Sequence, residues 1–324
     1  MKNISQLAGS ILLAGAALAP GSAWAQAYPD KPIRLVVPYA PGGGADILAR
    51  AIGQKLADAW KQPVVVDNKA GAGSTIGTKF VATAPADGYT LLMASPSHPI
   101  NQTLYKNPGF DAVKDFSGVI LVASGPLVLV VIASSPATTV EEFIAQAKAK
   151  PGAINYASAG TGSSPHLAGE LLKLMAKVDL AHIAYKGTAP ALADLMGGQV
   201  QAMLAPVPTV LSLVKSGRLK ALAVTTPEPF SALPGVPAIG AKSVPGYEVL
   251  QWWGVTAPAG TPRAVINQLN AEIGKILRSP DMQERLAGMG AAPGGGSPDR
   301  FDELIRDEVA KWAKVITAAN VKSE

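Results

Sequence analysis

An apolar strand-like run, a glycine-rich turn and an amphipathic helix follow one another twice in this chain, and that repeated unit narrows the fold more than any other feature. Ile33–Val37 leads into Pro41-Gly42-Gly43-Gly44-Ala45-Asp46, after which Ile47, Leu48, Ala51, Ile52 and Leu56 recur at helical spacing. Farther along, 154–157 leads into Gly160-Thr161-Gly162-Ser163-Ser164-Pro165-His166 and a second helix reaching Met175. At each junction a strand hands over to a helix at glycine. Backbone N–H groups at such a junction point outward and the helix dipole adds partial positive charge, so a carboxylate or phosphate is the natural guest. Two such turns predict a pair of anion cradles facing one cleft.

The units between and around them keep the same cadence. Strand-like runs at 64–66, 89–94, 127–133, 181–185, 201–204 and 220–225 alternate with helical patterns at 74–84, 140–148, 189–196 and 209–216. This is the rhythm of βαβ units and of α/β architecture with mostly parallel sheets flanked by helices. The chain has 324 residues, 48% of them hydrophobic and 16% charged, enough for a large core and for two domains rather than one. After a Pro-rich stretch from Pro227 to Pro245 come Trp252-Trp253-Gly254-Val255, a helix starting at Pro262 and a final amphipathic helix from Pro298. Those late helices need a sheet to cover, and the first series of strands has too few helices of its own. The expected organisation is therefore a discontinuous first lobe, 26–125 plus 226–324, with a second lobe, 126–225, inserted. Two crossings between them make a hinge.

The N-terminus reads Met1-Lys2, an apolar stretch from Leu7 to Ala19, then Ala23-Trp24-Ala25 before Gln26, the pattern of a signal peptide over 1–25 cleaved near Gln26. The apolar stretch is shorter than the ~20 residues that span a bilayer. There is no cysteine, hence no lipoprotein thiol and no disulfide framework, and the mature product is expected to be soluble in the periplasm. Formal charge is +5, but Lys31, Lys55, Lys69, Lys106 and Lys220 are scattered rather than striped, which argues against nucleic acid and for mild attraction of small anions.

The first glycine turn is not a nucleotide loop: no Lys-Ser or Lys-Thr follows at Walker spacing, and Gly42 and Gly44 lack the third glycine of a dinucleotide fingerprint. There is no Gly-x-Ser-x-Gly, no His-Glu-x-x-His, no cysteine nucleophile and no clustered set of metal ligands around His98, His166 and His182, so neither catalysis nor a metal or other cofactor is expected. Asp46 either compensates the dipole of its helix or binds an ammonium or a water. Ser74 follows Asn68, Gly71 and Gly73 at another loop-to-helix junction, as helix cap or as ligand donor. Ser95, Ser97 and His98 follow a strand and so face the cleft. Ser164 before Pro165 reads as a cap with proline at the first helical position, leaving Thr161 and Ser163 for the ligand. His166 either caps and packs or bonds a carboxylate. Tyr185-Lys186-Gly187 either completes the cleft through hydroxyl and N–H or covers the lobe, and Trp252-Trp253 is assigned to hinge packing.

Many collinear blocks of this chain resemble the Bug proteins, periplasmic receptors of tripartite tricarboxylate transporters: Tyr28-Pro29-Asp30-Lys31-Pro32-Ile33-Arg34, Pro41-Gly42-Gly43 with Asp46 and Ala49-Arg50, Asn68 with Gly71-Ala72-Gly73, Ala86-Asp87-Gly88-Tyr89-Thr90-Leu91, Tyr156-Ala157-Ser158 before Gly160 and Gly162, Tyr185-Lys186-Gly187 and Gly260-Thr261-Pro262. The resemblance implies a two-lobed Venus-flytrap fold of the type II periplasmic-binding-protein class, with no catalysis, a small organic carboxylate as ligand and membrane permease subunits as partners of a monomeric receptor. Carried over by position, the first-lobe grip is Pro41, Gly42, Gly43, Gly44, Asp46, Ser74, Ser97 and His98. The second-lobe grip is Gly160, Thr161, Gly162, Ser163, Ser164, His166, Tyr185 and Gly187. An enzyme using the same cleft, or a sensor presenting its ligand to a membrane signalling partner, would share these features.

Overall fold

The computed structural model describes residues 28–323; the segment read as a signal peptide lies outside them. In the first lobe, β1 (Ile33–Val37), α1 (Gly44–Trp60), β2 (Val64–Asn68), α2 (Thr75–Ala82), β3 (Thr90–Ala94) and α3 (Ser97–Leu104) follow in order. The chain then enters β4 (Phe116–Ile132), a 17-residue strand roughly 55 Å long at the usual rise, which runs through both lobes. The second lobe contains α4 (Val140–Ala149), β5 (Asn155–Ser158), α5 (Ser164–Ala176), β6 (Ala181–Ala184), α6 (Thr188–Met196), β7 (Ala202–Pro206), α7 (Val207–Lys215) and β8 (Leu219–Val224). The return passes through β9 (Leu250–Pro258) to α8 (Arg263–Arg278), α9 (Pro280–Met289), β10 (Ala292–Gly295) and α10 (Pro298–Ala318).

The two halves of the sheet share one plan. Around β1 lie β2 and β3, both parallel; around β5 lie β6 and β7, both parallel. The crossing strands extend each trio with antiparallel pairs, β3–β9–β4 on one side and β7–β4–β8 on the other, and β10 adds an edge beside the first half of β4. Strands covered on both faces read as continuous apolar runs, as in Leu35-Val36-Val37 and Leu91-Leu92-Met93-Ala94. The turns after β1, β3, β5, β6 and β7 converge between the lobes, as expected at the carboxyl ends of an α/β sheet.

Thr225 ties the hinge. Its N–H donates to Leu127 O (3.0 Å), its hydroxyl accepts from Leu127 N–H (2.9 Å) and donates to Val249 O (2.7 Å), and its carbonyl accepts from Val249 N–H. Sequence reasoning placed the return crossing at 226, but Leu233 and Ala238 pack among Val128, Met203 and Val224, and Val244 and Tyr247 among Leu129, Tyr156 and Leu172. The Pro-rich stretch thus covers the second lobe, and we place the return at Val249–Leu250. α3 and α10 also reach across: Ile100, Leu104, Trp312 and Ile316 join the second-lobe core, while Phe301 and Ile305 of α10 stay in the first.

Candidate functional site

Between the lobes lies a cavity lined by Tyr39, Gly43, Gly44, Ala45 and Ser95 from the first lobe, Ala159, Ser163, Ser164, Pro165, Thr188 and Pro206 from the second, and Gln251 and Trp253 from β9. No charged side chain is among them. Four helices, α1, α5, α6 and α7, point their N-terminal residues into this one space, and their dipoles make it electropositive without a cation. The space itself is ≈ 30 Å³, room for one or two waters.

The turn after β1 is built from beneath. Asp46 is buried in the first turn of α1, and its carboxylate accepts from Gly42 N–H (3.0 Å), Arg50 Nε (3.0 Å) and Asn68 Nδ2 (3.0 Å). Burial alone would raise its pKa; the bonds from Arg50, the Gly42 amide and Asn68 outweigh that and hold it below the usual carboxylate range. Every lone pair that would have met an ammonium is taken, so the ligand-binding role considered for Asp46 is replaced by a clamp on the turn. α1 has no side-chain cap at Gly43, and the amides of Gly43, Gly44 and Ala45 have no protein partner among the described residues. Behind this turn a hydroxyl cluster joins Tyr39 to Ser95 (3.3 Å) and, by a short bond, to Ser97; burial pushes the Tyr39 phenol up, keeping it a donor.

The turn after β5 is satisfied differently. Gly160 N–H donates to Ser158 Oγ (3.1 Å), and Ser158 Oγ lies 2.6 Å from His182 Nε2. Gly162 N–H donates to His166 Nδ1 (3.1 Å), and the His166 ring stacks on His182 with centroids 4.0 Å apart. Ser163, not Ser164 as read from sequence, caps α5 by accepting from His166 N–H (3.4 Å); Ser164 is the first helical residue, and Pro165 after it has no N–H to offer. Burial holds His166 neutral down to about 4 and His182 down to about 3, which suits both as acceptors. The Ser164 hydroxyl makes a short bond to Gln251 Oε1, joining the second lobe to the hinge strand at the cavity wall.

Of the residues anticipated from sequence, Gly43, Gly44, Ser163 and Ser164 line the cavity. Pro41 and Gly42 sit at its exposed rim, and Ser97 supports Tyr39. Ser74 accepts from Asn101 Nδ2 (3.2 Å). Gly160, Thr161 and Gly162 face the opposite lobe, and Gly187 packs against Ala40, whose N–H donates to Lys186 O (3.0 Å). Further assignments are corrected. His98 is turned into the core, between Phe110 and Phe116, with Nε2 donating to Ala112 O (2.8 Å); burial lowers its pKa to about 4. His166 holds the turn rather than facing a ligand. The Tyr185 hydroxyl donates to Asp194 (2.6 Å), and burial followed by that carboxylate raises the phenol to about 12. Trp253, assigned to hinge packing, lines the cavity, and its neighbour Trp252 points to the other face, donating to Glu308 (3.3 Å). Thr188 and Pro206, missed earlier, each open a helix after a strand; the signal was present but carried no glycine run.

Among the described residues no group of three His, Cys, Asp or Glu is placed to hold a metal, and no helix is long and apolar enough to cross a membrane. The family model described as "Tripartite tricarboxylate transporter family receptor" matches residues 48–321. Protein BugT of Bordetella pertussis is 37% identical over 324 residues, covering 99% of each chain. The solved structure of Rpa4515 from R. palustris with adipate aligns with a TM-score of 0.88 at 37% identity, covering 91% of this chain and 99% of that one. MatC (Rpa3494) from Rhodopseudomonas palustris with bound malate aligns at 0.86 and 31% identity, covering 89% and 100%.

Proposed function

The chain belongs to the tripartite tricarboxylate transporter receptor family, whose members are periplasmic solute-binding proteins and not enzymes, and we propose that it takes a small organic carboxylate between its lobes and hands it to the membrane permease of such a transporter. One observation carries the ligand class: the open amides of Gly43, Gly44 and Ala45 meet the N-termini of three further helices in a cavity that no charged side chain enters. Tyr39, Ser95, Ser163, Thr188 and Gln251 add neutral donors around it. Hydrogen bonds to a charged group contribute about 1.5–3 kcal/mol each, so four or five of them reach micromolar binding, near −8 kcal/mol, after ordering costs. Arginine is dispensable on that reckoning. The adipate and malate held by the two relatives support the same class.

Binding that touches both lobes favours the closed form, and closure is what a permease would read. The leader-like N-terminus supports action in the periplasm. A thermal-shift screen tests the reading: an acid at ~100 times its dissociation constant adds about 2.7 kcal/mol of stability. A panel of aliphatic, hydroxylated and aromatic carboxylates is expected to contain such an acid, with sugars and phosphates as controls. A response to sugars alone would end the proposal, and co-purification with permease subunits from membranes tests the delivery step.

A further inference from the structure

Four successive residues in the loop between β2 and α2 have positive φ: Gly71 (131°), Ala72 (43°), Gly73 (58°) and Ser74 (87°). For Ala72 and Ser74 this is the left-handed region that side chains avoid, so the surroundings must hold the loop there. They do. Ser74 N–H donates to Gly71 O (3.1 Å), the Thr75 hydroxyl donates to Ala72 O (2.8 Å), and Asn101 Nδ2 from α3 donates to Gly73 O (2.7 Å). The loop so fixed does not line the cavity. It presses instead on the second-lobe turn: a Cβ at Gly73 would stand 1.8 Å from the Thr161 carbonyl oxygen, and one at Gly162 would stand 2.1 Å from Asn101 Oδ1. The Tyr105 hydroxyl, at the end of α3, donates to that same Thr161 carbonyl (3.0 Å).

We propose that Gly71–Ser74, with Asn101 and Tyr105, is a latch that closes on Gly160–Gly162, and that Gly73 and Gly162 set the affinity of the receptor without touching its ligand. The inference rests on the two-lobed solute-receptor reading and deepens it. Gly73, Gly160 and Gly162 are buried where the surfaces meet: Gly73 lies against the Thr161 and Gly160 backbone and Gly162 against the Asn101 side chain, and a side chain at Gly73 or Gly162 would hold the surfaces apart. A receptor whose closed form is populated only in part binds weaker by that fraction, so every contact made only on closure acts on affinity from a distance.

The chain has no cysteine, which allows clean labelling of Asp58→Cys on α1 and Lys148→Cys on α4, both exposed, for distance measurement by electron–electron double resonance. Without added acid, the parent pair is expected to show a short-distance component that Gly73→Ala and Gly162→Ala lose. Gly198→Ala is the control: its φ of 74° imposes comparable backbone strain, but nothing lies within 4 Å of the added methyl, and it should keep that component. The panel acid that shifts the parent protein most should bind Gly73→Ala about tenfold weaker or worse. Circular dichroism confirms folding, and Tyr105→Phe, which deletes only the hydroxyl on Thr161, serves should either glycine variant not fold. Retention of the short component in Gly73→Ala and Gly162→Ala, or its absence from the parent pair, would overturn the latch. Its loss in both variants while no carboxylate stabilises the parent protein would leave the latch standing and remove the ligand assignment.

Discussion

The turns after β1 and β5 occupy equivalent places in the two lobes, share a glycine-rich sequence and open equivalent helices, yet they treat their amides in opposite ways. In the first lobe the cap position is Gly43 and three successive amides stay open, while a charged clamp, Asp46 with Arg50 and Asn68, fixes the turn from below. In the second lobe Ser163 caps its own helix, Pro165 removes a donor, and neutral acceptors, Ser158 and His166, absorb the amides of Gly160 and Gly162. On the proposed function, the first turn holds the ligand's charge, while the second keeps its shape and meets the other lobe. Similar sequence therefore serves unlike tasks, and the deciding residues are those that take or leave the first-turn N–H groups.

Acid should separate the two turns with the largest effect. In the second turn His166 is held neutral by burial down to about 4 and His182 down to about 3, against about 6.5 in an unfolded chain, so the unfolded state binds more protons between those values. Their contribution to stability is complete above about pH 6.5 and is lost as pH falls toward the lower ones, on the order of several kcal/mol together. Glu170 and Lys173, paired at 3.0 Å, stand beside the stacked histidines. The Asp46 clamp has the lowered pKa of a satisfied carboxylate, so its stabilisation is lost only at lower pH. Amide hydrogen exchange at pH 4.5 is expected to show Gly162 losing protection while Gly42 keeps it; equal loss at both would erase the distinction.

Next in size is Gly44→Val. Even the first carbon of a side chain at Gly44 lies 2.8 Å from the Trp253 ring and 3.6 Å from Pro206, so the branched chain fills the cavity. Carboxylate binding should fall roughly a thousandfold or more, about 4 kcal/mol, by calorimetric titration. Asp46→Ala should follow. It leaves Gly42 N–H and Asn68 without their acceptor and frees Arg50, which is half exposed and rehydrates, so stability drops by about 2–3 kcal/mol and binding with it. Loss of binding with an unchanged unfolding midpoint would mean that Asp46 meets the ligand after all.

The βαβ cadence and the placement of Gly43, Gly44, Ser163 and Ser164 at strand-to-helix junctions were legible because each follows from local rules, apolar periodicity and strand-to-helix handover; the cap of α5 was read one residue late, at Ser164 instead of Ser163. His98 was misplaced because α3 begins at Ser97, directly after β3, and swings the ring into an aromatic pocket that only tertiary packing creates. Tyr39, Thr188, Pro206 and Gln251 escaped notice because a cavity wall is assembled from segments far apart in sequence, each ordinary by itself. The return crossing was set at 226 for a related reason: the Pro-rich stretch from 227 to 245 carries no strand or helix pattern of its own and was assigned to the first lobe, whereas Leu233, Ala238, Val244 and Tyr247 within it bury against the second.

The smallest expected effect is the sharpest test of the comparison, since it converts one turn into the other. Gly43 has φ −81° and ψ 170°, nearly the backbone of Ser163 at −76° and 156°, and a Cβ there meets Thr188 at an ordinary 3.7 Å. Gly43→Ser therefore fits without strain and gives α1 the cap that α5 already has, accepting from an amide in the first turn. Serine and glycine caps differ by only a few tenths of a kcal/mol, so the unfolding midpoint should rise slightly or stay level. Affinity for a carboxylate should nonetheless fall, by about 1 kcal/mol or roughly fivefold, because a donor aimed at the ligand now serves the protein. Calorimetric titration beside thermal unfolding reads both quantities. Unaltered affinity in a stabilised Gly43→Ser protein would show that open amides are not what distinguishes the first turn, and the weight of ligand recognition would pass to the hydroxyls of Tyr39, Ser95 and Ser163.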